Sequence, residues 1–150
     1  MADDSGMTIQ VTEDNTDEIL DELTLAIRRS LEIIGQNAEK YAKALCPVGT
    51  SASTGKKGYR GGTLRNSITH KVDKLNGVDA VQIGSNVEYA PYVELGTGPN
   101  FTPPPEWEQF QSKKGTGMPG VAYVKARPYL RPAIADHLEE YKDIIKKELQ

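Results

Sequence analysis

Cys46, His70 and His137 are the side chains best suited to nucleophilic or proton-transfer chemistry in this chain, a thiol to attack and two imidazoles to accept its proton. No local signature joins them, so a thiol nucleophile with a histidine base is a remote reading. Cys46 is a single cysteine beside Pro47. It excludes an intramolecular disulfide and offers no metal-ligand spacing; the expected state is a half-buried thiol near a helix end in a reducing cytoplasm. His70 falls in a segment with strand alternation and His137 in one with helical spacing. Neither lies at metal-ligand spacing from another His, Cys or paired carboxylate. Glu88 and Glu94 are six positions apart with Pro91 between them, which puts them on no common face and makes a poor acid/base pair. No catalytic residue, metal or cofactor follows from this inventory.

The run from Gly49 to Lys57 imitates a phosphate-cradling loop. That motif requires four residues between its glycines, then lysine, then a hydroxyl, after a strand. Here five residues separate Gly49 from Gly55, Lys57 stands where the hydroxyl belongs, and a helical pattern precedes. A nucleotide site is excluded. Lys56, Lys57 and Arg60, with Tyr59 among them, leave two readings: a contact for DNA phosphates or an acidic partner, or a solvated loop.

The elements that would position these groups follow from length and pattern. With 150 residues, one domain is expected, residues 16–150, preceded by a flexible acidic arm over 1–15 in which "MTIQV" has some strand character. The net charge of −3 points to no general affinity for nucleic acid. The apolar runs are far short of the roughly 20 residues that span a bilayer, and the acidic start is unlike a signal peptide.

From Thr16 to Leu45, Leu20, Ile27, Ile34 and Tyr41 recur every seven positions, interleaved with Leu31, Ala38 and Leu45 and widened by Ile19, Leu23, Ala26 and Ile33. This predicts one long helix, capped by Thr16 and stopped by "CPVG". Such a rod is roughly 43 Å long, whereas a 150-residue globule is about 38 Å across. The simpler expectation is a helix lying across a sheet; the alternatives are a kink at Gly35 or an overhang covered by another chain.

After the glycine-rich loop 49–62, "TLRNSI" predicts a short helical turn capped by Thr63. "ITHKVDKL" and "VDAVQIGS" predict a hairpin about Asn76 and Gly77. A long loop over 97–120 contains Trp107, "VAYVKA" predicts a third strand, and a helix from Pro132 carries Ile134, Leu138, Tyr141, Ile145 and Leu149 on one face. The fold class is α+β, with a long N-terminal helix and a C-terminal helix packed on one face of a small antiparallel sheet, and two long flexible loops.

"YAPYVELGTG", residues 89–98, fits a helical turn or edge segment beginning at Pro91. Tyr92, Val93 and Leu95 would pack inward while Gly96 and Gly98 reverse the chain. Glu94, flanked by Val93 and Leu95, should be partly desolvated and so require a cation or several N–H donors. Arg65 and Arg127 are the candidate cations. Tyr89, Tyr92, Leu95, Trp107 and Tyr129 are candidate interface or packing residues.

"CPVGT", "GTLRNSI", "IGSNVEYAPYVELGTG" and "ARPYLRPAI", in this order and leading into a charged C-terminal helix, together resemble the tail-completion or head-tail joining proteins of long-tailed bacteriophages, also called neck or minor capsid proteins. The resemblance spans about residues 16–149; the lengths of loops 49–62 and 97–120 and the acidic arm depart from it. It implies a non-enzymatic virion component at the head-tail junction, assembled in host cytoplasm as an oligomeric ring, hexameric by expectation. Its partners would be the head connector and the tail terminator or tail tube, with transient contact to DNA in the lumen and no membrane or small-molecule substrate. The competing reading is a nucleic-acid-binding adaptor that uses the basic loop 55–62.

Overall fold

The computed structural model describes residues 13–50, 55, 57–58, 60–96 and 125–150. In chain order the elements are α1 (Thr16–Leu45), α2 (Thr63–Ser67), β1 (Ile68–Leu75), β2 (Val78–Ser85), α3 (Ala90–Leu95), α4 (Leu130–Ala135) and α5 (Leu138–Glu148). The long N-terminal helix and the C-terminal helix pack against a small two-stranded antiparallel sheet. The third strand expected at "VAYVKA" falls outside the described residues, apart from Lys125 and Ala126, which are not in a strand.

Helix α1 keeps its expected bounds. Its start differs in detail: Asn15 occupies the cap position, and the Asp14 carboxylate accepts the Thr16 N–H at 3.1 Å and the Thr16 hydroxyl at 2.5 Å. Asp14, rather than Thr16, therefore satisfies an orphan donor of the first turn. At the other end Cys46 leaves helical geometry with ψ 124 while its N–H still reaches Ala42. Thr63 likewise lies inside α2; the residue before it, Gly62, has φ 113, a left-handed conformation that suits a residue without Cβ.

The hairpin turns at Asn76 and Gly77 with φ 52 and 83, the double positive φ that matches strand twist in a two-residue turn. Its register pairs Ile68 with Ser85, His70 with Ile83 and Val72 with Val81. Period-two alternation then puts Ile68, His70, Val72, Val81 and Ile83 on the face that meets α1.

Gly35 does not interrupt α1. It is buried against the sheet, where a Cβ would come within 2.9 Å of both His70 Cγ and Val81 Cγ2. The glycine brings helix and strands close, which is a packing use and not a hinge.

The core divides into two clusters. One gathers Ala42, Cys46, Leu64, Ile68, Ala90, Tyr129 and Ala133; the other gathers Ile34, Ala38 and Tyr141. Half-buried Tyr41 and Ile83 border both. Along α1 the deepest positions are Ser30, Ile34, Ala38 and Ala42, spaced by four, as on one helix face.

The N-terminal half of α1 stands clear of the sheet. Ile19, Leu20 and Leu23 are 61 %, 52 % and 43 % exposed, so the helix overhangs instead of lying wholly across the sheet. The mismatch is one of length: 30 residues at 1.5 Å make a rod of about 45 Å, against about 26 Å for an eight-residue strand.

The C-terminal helix is broken in two at Asp136 and His137. The His137 N–H turns to the Ile134 carbonyl at 3.3 Å, which releases the Ala133 carbonyl, and the Tyr141 hydroxyl donates to it at 2.6 Å. Of the face expected to be buried, Ile134, Leu138 and Leu149 are exposed, while Tyr141 and, beside it, Ala133 are buried.

Candidate functional site

The residues from "YAPYVELG" and "ARPYLRPA" meet at Glu94. Pro91 sits in the first turn of α3, where its missing N–H costs nothing, and Gly96 ends the helix with φ 75. Glu94 is 2 % exposed. Its carboxylate accepts the backbone N–H groups of Tyr129 at 2.7 Å, Leu130 at 3.0 Å and Arg131 at 3.1 Å. These are donors at the start of α4 that lack intrahelical partners, so a side chain from one helix caps another. The Arg127 N–H adds a bond to the Val93 carbonyl at 2.8 Å.

The expectation of several N–H donors for Glu94 matches this geometry, but the cation differs. Among the described residues Arg131 Nε approaches Glu94 at 3.9 Å. Arg65 is exposed and makes no ion pair with Glu94, and Arg127 is exposed and engages through its backbone. The sequence hint for Arg131 was its position just before Pro132 at the start of a helix.

Tyr129 is fully buried, Tyr92 and Leu95 are half-buried, and Tyr89 is exposed at the cap position of α3. Trp107, Lys56 and Tyr59 lie outside the described residues; Lys57 and Arg60 are exposed.

Two further polar clusters tie α1 to its neighbours. His70 reaches across the helix–sheet interface, with Nδ1 2.6 Å from Glu39 and Nε2 2.9 Å from Glu32. Ionised carboxylates only accept, so both ring nitrogens must donate and the ring is an imidazolium. The Glu32 bond first, and the Glu39 bond after a smaller opposing effect of burial, raise the His70 pKa above its ordinary value. Glu39 also binds Lys43, and that bond leads the lowering of its own pKa, with His70 second. The signal was present in the sequence: Glu32 and Glu39 are seven residues apart on one helix face.

The second cluster centres on Glu140, which accepts from Asn37 at 3.2 Å and from the Tyr41 hydroxyl at 2.9 Å. The His137 ring stacks on Tyr41 with centroids 3.6 Å apart, and its Nδ1 lies 3.2 Å from Glu140. Both histidines therefore serve as struts between α1 and the elements packed on it.

Cys46 is buried, and burial pushes its thiol pKa up despite Arg65 nearby. A raised pKa keeps it a thiol, the unreactive form. Among the described residues no group of three or more His, Cys, Asp or Glu side chains is placed to hold a metal ion, and no helix is long and apolar enough to cross a membrane.

A carboxylate spent on helix capping, histidines spent on bracing and a bare apolar helix describe a protein that works by its surfaces. Residues 11–96 match the family model described as Bacteriophage HK97-gp10, putative tail-component. The chain belongs to that family. The match takes in α1, α2, the hairpin and α3, and so includes Glu94 and the His70 cluster. No curated protein and no solved structure matches. As a phage tail-component protein, the chain has a structural role in the virion.

Proposed function

We propose that this tail component acts in tail completion at the head-tail junction, as one of several copies in an oligomeric ring between the head connector and the tail terminator or tail tube. Residues 16–150 act as one domain in this reading, with 1–15 as an arm. The observation that carries it is the apolar overhang of α1, a continuation of the core-facing stripe that its own sheet does not cover. Exposed apolar surface of this kind marks an interaction site. The acidic net charge suits a channel through which DNA must pass without being held.

The test is a phage in which the gene is disrupted and then supplied in trans. Negative-stain microscopy of the disrupted phage should show filled heads and free tails that fail to join, restored by the supplied gene. Joined, infectious particles without the gene would overturn the reading, as would a density map of the mature particle lacking this chain at the junction.

A nucleic-acid adaptor reading is favoured by the exposure of Lys57 and Arg60. Phosphate contacts release counterions, so the binding they support must weaken steeply with salt. A gel shift by the isolated protein that is lost on Lys57→Glu/Arg60→Glu would support it; binding unchanged by that variant or by salt would exclude it.

A further inference from the structure

We propose that the acidic tip of α1 docks on the arginine cluster at the opposite end of a second copy of this chain, in a head-to-tail contact. The inference rests on the ring reading above and names the contact between its copies.

The net charge of −3 hides a separation of charge along the chain. Residues 1–27 hold eight acids and no base, whereas residues 40–72 hold seven bases and no acid, and residues 109–135 five bases and no acid. The fold turns this into two poles. Asp17, Glu18, Asp21 and Glu22 are exposed in the first two turns of α1. Spacings of four set Asp17 with Asp21 and Glu18 with Glu22 in two columns, on the side of the helix away from Ile19, Leu23 and Ile27. The helix dipole accounts for the acids of the first turn but not for Asp21 and Glu22 in the second, and like charges four apart repel.

The other pole lies where α1 ends. Leu64 and Tyr129 share a core cluster with Ala42 and Cys46, which brings Arg65, Arg127 and Arg131 to this end, all three exposed. The Glu94 cap fixes two of them. The Arg131 N–H is bonded to Glu94 at 3.1 Å, and the Arg127 N–H to the Val93 carbonyl at 2.8 Å. Exposed Arg60 and Lys125 stand beside them, against Glu88 and the buried Glu94, so the end stays cationic.

From Glu18 to Cys46 the helix spans about 42 Å, several times the Debye length of about 8 Å at physiological salt. One chain therefore cannot neutralise its own poles, whereas a second copy brings a tip and a cluster together. The contact joins unlike surfaces, so a pair still presents a free tip and a free cluster and continues to a third copy, as a ring requires. It leaves the apolar stripe on the other side of α1 uncovered.

The experiment uses the full chain. Sedimentation velocity across a concentration series should show species larger than dimers at low salt and monomer at high salt. Asp17→Lys/Glu18→Lys/Asp21→Lys/Glu22→Lys and Arg65→Glu/Arg127→Glu/Arg131→Glu should each weaken association on the order of tenfold or more. An equal mixture of the two recovers it, because each variant's tip matches the other's cluster. Circular dichroism separates misfolding from lost contact. Independently of the variants, carbodiimide coupling of mixed labelled and unlabelled wild type should join acids of residues 17–22 in one copy to Lys125 or Lys57 in another.

A wild-type chain that stays monomeric at low salt overturns the proposal, as do a mixture no better associated than its components and inter-copy links that never include the tip. A cluster variant that loses duplex DNA in a gel shift yet associates like wild type makes the cluster a nucleic-acid surface, and overturns it too. Any of these results, with heads and tails still unjoined in the gene-disrupted phage, moves the contact elsewhere and leaves the ring reading standing. Joined particles without the gene remove that reading whatever the charges do.

Discussion

The Glu94 carboxylate lies 2.7 Å from the Tyr129 backbone N–H, a residue 35 positions further along the chain. Through this bond and its two neighbours, α3 sets the position of α4. Replacing Glu94 with Ala leaves three N–H groups of the α4 start without their acceptor, and the expected loss is about 3–5 kcal/mol. Glu94→Gln keeps the volume but turns an amide N–H toward backbone donors, so it should recover only part of that loss. Urea denaturation of the three proteins checks the order wild type, Gln, Ala; an unchanged midpoint for Ala would remove Glu94 from the framework.

What could be read from the sequence was what short-range chemistry determines. "CPVG" ends α1 where expected, Asn76 and Gly77 turn the hairpin, and Pro91 begins a short helix. The readings that failed or stayed open depend on contacts between distant residues. Helical periodicity continues through Asp136 and His137, and nothing in it shows that the chain breaks there with the Ala133 carbonyl taken by the Tyr141 hydroxyl. The sequence leaves a kink at Gly35 open beside an uninterrupted helix, because a glycine inside a helix has two uses, and only the strand beneath it decides between them. The apolar neighbours of Glu94 signal burial and the need for a cation or several N–H donors, but nothing local could show that the donors come from residues 129–131 or that the nearby cation is Arg131 and not Arg65 or Arg127.

Gly35→Ala tests the close approach of helix and sheet. In an isolated helix the change would stabilise by about 1 kcal/mol. Here the new methyl group meets the His70 ring and Val81. Val81 is stiff at χ1, and the ring is held at both nitrogens. Overpacking of this kind costs about 1–3 kcal/mol, so a net loss is expected. In Gly35→Ala/His70→Ala the ring is gone, and the double variant should be more stable than the sum of the single effects allows. Strict additivity in thermal melts would show that the ring is not what the methyl group meets.

The His70 cluster gives stability a pH window with two limits. The imidazole pKa is raised from 6.5, so its contribution is complete below 6.5 and is lost as pH climbs through the folded value. The Glu32 and Glu39 pKa values are lowered from 4.5, so theirs is complete above 4.5 and lost as pH falls through the folded values. The difference in urea midpoint between wild type and His70→Gln should therefore be greatest between about pH 4.5 and 6.5 and shrink on either side. Proton NMR of the His70 ring, followed through a titration, should place its midpoint above that of a free imidazole. A midpoint at or below the ordinary value would mean that the carboxylates do not hold the charged ring.

Tyr129 presents the opposite case, a polar atom that the fold encloses without using. The side chain is fully buried, and its hydroxyl has no hydrogen-bond partner among the described residues. Burial raises its pKa, so it stays an uncharged O–H at any ordinary pH. An enclosed hydroxyl without a bond costs about 1–3 kcal/mol in lost hydration, and Phe removes that cost while keeping the ring that packs against Ala42, Leu64 and Ala133. Tyr129→Phe should thus melt at the wild-type temperature or above it, whereas Tyr129→Ala, which empties the site, should lose about 3–5 kcal/mol. A Phe variant that melts clearly lower would show that the hydroxyl is bonded to a group outside the described residues, and would make Tyr129 a polar anchor instead of a packing residue.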